Sequence, residues 1–378
     1  MIALLEQTEI KWTLLLLGLY TVFVLSVLGS TPLWLDELQQ VGGTKGKTVF
    51  EVMRWAQINP GGVPLPYLGQ KYFLDVVPYS TYVARMPAAL FSILSGLAFA
   101  LLCGELGITK LRLAMPIFLL TPIQFRCAVE ARGYSQGLFF SMLATWLFVR
   151  LWDDCKPALL AAYGVAVILG VYSQPLTGLV PLAHLAFTLI SRGSSRKTAP
   201  ILLTIIFSLA CYLPWLILQE QAQQQTQGTS LYSFSLQQIY PWGVVRDLCG
   251  DGYACSVPPL ILSGVGFTSR NLSPPHKRFL FFVTVFGLLG PILADAAFGY
   301  FFAARQLLFA APPLFLFESE GVLELWRKSR VFLMASLLAV FVAGCVAKNY
   351  QQVTRVKENW ERAAEILASS LDLAIALW

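Results

Sequence analysis

The chain is 378 residues long, with 56% hydrophobic residues, 13% charged residues and a mean hydropathy of +0.64. Soluble domains carry roughly 25% charged residues, so this composition excludes a soluble globular protein and predicts an integral membrane protein with room for about ten or eleven spans. The net charge of +6 reads as topology and not as nucleic-acid binding, because Lys and Arg near span ends mark the cytoplasmic side.

Apolar runs predict spans at 12–29, 82–103, 111–123, 135–152, 157–173, 176–191, 199–218, 257–269, 279–298, 301–317 and 331–347, the third and eighth being short. No small-residue cleavage site follows the first run, which argues for a retained span and not a signal peptide. Alternating sides from an inside N-terminus puts Lys110, Arg112, Arg150, Lys156, Arg192, Arg196, Lys197, Arg270, Lys277, Arg278, Arg327, Lys328 and Arg330 on one face, as the positive-inside rule requires. The opposite, outer face receives the first loop 30–81, a short turn at 124–135, the long loop 219–256 and the tail. Residues 1–347 therefore read as one all-α, polytopic helix bundle of about eleven spans, and 348–378 as a short amphipathic tail on the outer face.

In the first outer loop, Val49, Val52, Met53 and Ala56 share one side of a helix that would lie along the interface. Pro60-Gly61-Gly62 stops it, and Pro64 and Pro66 lead into the next span. The Gln-rich stretch after Leu218 reads as a mobile loop with an aromatic end. The seven cysteines show no metal-ligand spacing. Cys249 and Cys255 share a polar loop and are a candidate disulfide pair if that loop lies outside the cytoplasm. His184, inside a span, reads as packing or a local hydrogen bond. Gly42 to Thr48 fails as a phosphate loop, since Val41 stands where glycine is needed.

The residues that point to chemistry begin with Asp36 and Glu37, adjacent carboxylates just beyond the first span, where a charge is costly unless solvated, paired or used. A solvated, helix-capping pair is the plain alternative. A second acidic site, Glu130, lies with Arg132 and Tyr134 in the next outer turn. Trp34-Leu35-Asp36-Glu37 after the first span, Arg85-Met86-Pro87-Ala88-Ala89-Leu90-Phe91 opening the second, and Glu130-Ala131-Arg132-Gly133-Tyr134-Ser135 after the third resemble the GT-C membrane glycosyltransferases. The resemblance is to the branch of the dolichyl-phosphate-mannose protein mannosyltransferases and the lipid A aminoarabinose transferases. Leu169 to Gln174, Arg305 ahead of Ala311-Pro312-Pro313-Leu314, and Glu358-Asn359-Trp360-Glu361-Arg362-Ala363-Ala364 continue it in order along the chain. Two histidines common in relatives are absent: the stretch before the second span reads Gly62-Val63-Pro64-Leu65-Pro66-Tyr67, and Gln174 stands at the other position. The tail reads as the remnant of a soluble domain that relatives carry there.

What the resemblance implies is an inverting hexosyl- or pentosyltransferase in a plasma or inner membrane, with a GT-C-like fold. It would take a monosaccharide from a polyprenyl-phosphate donor and pass it to an acceptor hydroxyl of a protein, lipid or glycan on the outer face. Asp36 would be the base, with Glu37 and Glu130 supporting it. Arg85, Arg132 and Arg305 would hold the lipid phosphate, for which a planar guanidinium is suited. Tyr67 and Tyr134 would meet the sugar. Any metal would be Mg²⁺ or Mn²⁺ on oxygen ligands such as Asp36 and Glu130. Asp295, near the outer end of the ninth span, is placed to face the same cavity. Among rival readings, a lipid or sugar transporter or flippase would show internal repeats with matched helix breaks, which this chain lacks, and a non-catalytic subunit would tolerate loss of Asp36.

Overall fold

The computed structural model describes residues 7–59, 61–108, 110–192, 198–226, 252–298 and 304–358, together with positions 246, 248, 360, 363 and 366. Among these residues every regular element is helical, as spans that satisfy their own backbone in a bilayer must be unless they close a barrel. Five helices are long and apolar enough to cross a membrane: Gln7–Val27, Thr81–Glu105, Thr198–Ala222, Pro274–Ala294 and Val331–Thr354. Shorter apolar helices lie between them.

Helix α1 (Gln7–Val27) leads at one end of the bundle into three short helices, α2 (Leu35–Gly42), α3 (Val49–Ile58) and α4 (Pro64–Val76). Helix α5 (Thr81–Glu105) then returns through the bundle. The third run is two helices, α6 (Leu111–Leu120) and α7 (Pro122–Ala128), broken where Pro122 denies Thr121 a helical conformation. Helices α8 (Tyr134–Asp153), α9 (Pro157–Ser173) and α10 (Leu179–Arg192) follow, then the two-part α11 (Thr198–Ala210) and α12 (Leu213–Thr226). Further along are α13 (Tyr253–Phe267), α14 (Pro274–Phe298), a 3-10 turn at Ala304–Ala310, α15 (Pro312–Arg327) and α16 (Val331–Thr354).

Four expectations change. The segment from Pro64 is a helix of its own, because a proline in a first helical turn removes an N–H that has no intrahelical acceptor there. The tenth span lies about three helical turns further on than its apolar run, at Pro312–Arg327, and it buries Glu318, Glu320 and Glu324. Glu320 earns its place by accepting from Ser269 Oγ and Asn271 Nδ2, each at 2.9 Å. The last span runs on to Thr354, past the expected boundary at 347. The Gln-rich stretch is helical as far as Thr226; the rest of that loop to Val245, Cys249 of the expected disulfide, the side chain of Asp295 and most of the tail lie outside the described residues.

Packing follows membrane rules, in which small residues let backbones approach. A Cβ on Gly266 of α13 would lie 1.7 Å from the Phe317 carbonyl oxygen, and one on Gly321 of α15 would lie 1.9 Å from that of Leu262. At the centre, Phe99 stacks on Phe118 at 4.5 Å and Phe148 on His184 at 4.3 Å. His184 Nδ1 is 2.9 Å from the Tyr163 hydroxyl, so this histidine is a packing residue with a local hydrogen bond. Helix α3 buries Val52 and Ala56, while Val49 turns outward.

The bundle has two chemically distinct ends. At one, the start of α1 meets the start of α6, where buried Glu9 accepts from the Arg112 backbone at 3.0 Å and pairs with its guanidinium. The other end gathers α2–α4, the start of α5, the turn before α8, the 3-10 turn and the segment after α16.

Candidate functional site

The site is built on an N-cap. Trp34 caps α2, and Glu37, three residues on, accepts from the Trp34 backbone N–H at 3.3 Å. Successive helical residues point about 100° apart, so the two neighbouring carboxylates are sent to different places. Glu37 is 0% exposed. It takes both arms of a guanidinium fork, Arg85 Nε at 2.8 Å and Nη2 at 2.7 Å, and a third bond from the Ala131 backbone N–H at 2.7 Å.

Arg85 spends its remaining donors on backbone. Nη1 donates to the carbonyls of Leu28 at 3.0 Å and Thr31 at 2.9 Å, and Nη2 to that of Pro32 at 3.1 Å. Every N–H of the guanidinium is thereby used. Arg85, expected among the phosphate-binding cations, is instead a staple that joins the end of α1, α2, α5 and the turn before α8. Gln70 reinforces the same junction by accepting from Thr44 Oγ1 and donating to the Ala84 carbonyl, each at 3.0 Å.

Asp36 goes the other way and keeps 24% of its side chain exposed. Its carboxylate is ion-paired with Arg305 Nη2, while its backbone carbonyl accepts from Arg132 Nη1 at 3.1 Å. Arg305 also donates from Nε to the Tyr134 hydroxyl at 3.1 Å and lies over the Trp34 ring at 5.0 Å. Burial works against charge on Arg132 and Arg305, but the oxygens of Tyr134 and Asp36, joined by Tyr67 at Arg132 and by Glu130 at Arg305, hold both guanidinium groups even more firmly protonated than usual. Tyr67 is buried on α4, and that burial pushes its phenol up. Gly133 allows the turn to sit close: a Cβ there would lie 2.4 Å from Pro66 Cγ.

Glu130 is 3% exposed. Its Oε1 takes Arg126 Nε at 2.8 Å and also Lys357 Nζ. Burial acts to raise the carboxyl, yet Arg126 and Lys357 outweigh it and pull the group down to about 2. Neither cation is an expected site residue. The i, i+4 spacing of Arg126 and Glu130 is the feature of the sequence that reveals the first; Lys357 arrives from 227 residues away, and nothing local announces it.

Six of the eight expected side chains thus meet around Asp36 at one end of the bundle, and Glu37 and Arg85 form the support beneath them. Asp36 and Glu130, the oxygen ligands expected for a divalent cation, are each neutralised by protein cations. Among the described residues no group of three His, Cys, Asp or Glu side chains is placed to hold a metal. This donor set does not fit a metal ion.

Residues 61–218, which carry Arg85 and the Glu130–Tyr134 turn, match the family model described as dolichyl-phosphate-mannose-protein mannosyltransferase. The crystal structure of ArnT from Cupriavidus metallidurans in the apo state is similar over 93% of this chain and 67% of that chain, with a TM-score of 0.65 and 13% sequence identity. At that identity the likeness is one of fold. No curated protein matches the chain.

Proposed function

Taking the chain as a membrane glycosyltransferase of the GT-C type, which its family model and fold support, we propose that it transfers a monosaccharide from a polyprenyl-phosphate donor to an acceptor hydroxyl at the outer face. One observation carries the reading. Of the three carboxylates in the cluster, Glu37 and Glu130 are closed in by cations, and Asp36 alone is partly open beside two guanidinium groups.

Arg305 and Arg132 are suited to the donor phosphate because each presents a planar fork with phosphate-matching geometry. A phosphate arriving at Arg305 competes with Asp36 for that cation and draws it off, leaving the carboxylate free to take a proton. The acceptor oxygen then attacks the anomeric carbon as its proton passes to Asp36. The bond from that carbon to the phosphate oxygen breaks, its electron pair leaves with the polyprenyl phosphate, and a single displacement inverts the sugar. Tyr134, held by Arg305, lines the same space.

Sidedness rests on charge. Arg112, Arg150, Lys156, Lys277, Arg278 and Lys328 close the end of the bundle opposite Asp36, and the positive-inside rule makes that end cytoplasmic. The test is transfer of labelled sugar by the purified chain in vesicles, offered a panel of polyprenyl-phosphate hexoses and pentoses with membrane-extract acceptors. Transfer from at least one donor is the expected result; no transfer from any, with intact fold, contradicts the reading.

A further inference from the structure

After α16 the chain does not leave the bundle but straps across the site. Lys357 Nζ pairs with Glu130 and sits 4.6 Å from the centre of the Trp34 ring, and Glu358 Oε2 accepts from the Leu35 backbone N–H at 3.1 Å. Leu35 directly precedes Asp36. The strap, the N-cap of α2 and the turn before α8 enclose a small cavity lined by Trp34, Glu130, Gln352, Arg355 and Lys357, with Thr31 and the Glu37–Arg85 pair as its floor.

Two buried polar atoms on the residues of this wall have no hydrogen-bond partner, the Trp34 indole Nε1 and Glu130 Oε2. An unpaired buried polar atom costs free energy, and both atoms belong to residues that line this one cavity, so a single ligand there would serve both. Their chemistry narrows what it is. The indole only donates, so the ligand must accept; an ionised carboxylate only accepts, so the ligand must donate. An ammonium fails the first demand and a phosphate dianion the second. A hydroxyl meets both.

We propose that this cavity is a subsite for one hydroxyl of the transferred sugar, formed by Trp34 and Glu130 and closed by Lys357, so that the strap after the last span helps to select the donor. The inference rests on the polyprenyl-phosphate-sugar reading above and adds a recognition site to it. Lys357 is a positioning residue here: by occupying Glu130 Oε1 together with Arg126 it leaves Oε2 as the oxygen available to the sugar. Trp34 presents its N–H from a ring whose faces are already held by Arg305 and Lys357.

The experiment measures binding to the full-length chain in nanodiscs of bare polyprenyl phosphate, of polyprenyl-phosphate hexoses and pentoses, and of the same donors lacking one hydroxyl at a time. The variants are Trp34→Phe, which keeps a ring and removes only the N–H, and Lys357→Met. Bare polyprenyl phosphate serves as the control for intact fold and should bind all three proteins equally. One deoxy position should weaken wild-type binding by roughly 10- to 100-fold, as expected for losing a hydrogen bond to the indole together with one to an ionised carboxylate. That same position should cost Trp34→Phe less than it costs wild type, because the hydroxyl then keeps only its bond to Glu130, and Lys357→Met should likewise show a reduced penalty there. Losses that simply add at every position, or variants that bind sugar-bearing donors like wild type, would show that the cavity holds only water and overturn the subsite alone. Wild type that binds bare polyprenyl phosphate no less tightly than every sugar-bearing donor overturns the subsite while leaving the lipid-phosphate site in place; wild type that binds neither overturns the donor reading itself.

Discussion

Asp36 and Glu37 share a peptide bond and face opposite environments: Glu37 is fully buried on the fork of Arg85, and Asp36 is partly open beside Arg305. The first is a structural element and the second is the proposed base. Substitutions at the two positions should therefore fail in different ways. Glu37→Gln leaves Arg85 buried without its counter-charge, a loss of about 3–5 kcal/mol for a buried pair. Thermal unfolding in detergent should show it, and Arg85→Lys should be destabilised as well, because an ammonium keeps the charge and lacks the planar fork. A Glu37→Gln protein as stable as wild type would remove the staple from this account.

Arg305 should behave unlike Arg85. It is partly exposed and joins Asp36 to Tyr134, so Arg305→Ala should unfold near the wild-type temperature while weakening polyprenyl phosphate binding by roughly 10- to 100-fold, the range of a charged hydrogen bond. Unchanged binding would assign the lipid phosphate elsewhere.

Glu130 gives the site a pH signature. Its carboxyl lies at about 2 in the folded chain against an ordinary 4.5, so it contributes stability that is complete above the ordinary value and is lost as pH falls through the folded one. Between pH 7 and 5 no change is expected from this group. Between about 4.5 and 2 wild type should lose stability more steeply than Glu130→Gln, as followed by unfolding temperature against pH. Parallel curves for the two proteins would contradict the pairing with Arg126 and Lys357.

Gly133 lets α4 lie against the turn that carries Arg132. In Gly133→Ala the added methyl would meet Pro66 at 2.4 Å, and the strain of such overpacking is about 1–3 kcal/mol. The expected result is a lower unfolding temperature together with weaker donor binding, since Arg132 moves with the turn. A variant that keeps both would show that this approach is slack.

Much of this was legible in the sequence, for identifiable reasons. Long apolar runs located most of the helices, and the Trp34–Glu37 and Glu130–Tyr134 motifs fall at the same end of the bundle, as alternating helices place them. What hydropathy missed was burial of charge. Glu318, Glu320 and Glu324 end an apolar run on any hydropathy scale, yet they lie inside α15, where Ser269 and Asn271 of a facing segment satisfy Glu320. Arg85 was legible as a residue of the site and illegible as a staple, since its role depends on carbonyls of Leu28, Thr31 and Pro32 that only the folded loop presents. Lys357 was out of reach for the same reason: its partner lies 227 residues away in the chain.

The central claim is that Asp36 takes the acceptor proton. The most direct measurement compares sugar transfer by wild type and Asp36→Asn, reconstituted in vesicles, with the donor that wild type uses. Loss of a general base costs about 10²- to 10⁴-fold in rate, so the account predicts a fall of that size, with unfolding temperature preserved and binding of bare polyprenyl phosphate at least as tight as in wild type, because Arg305 is then free of its carboxylate partner. Transfer by Asp36→Asn at the wild-type rate would contradict it.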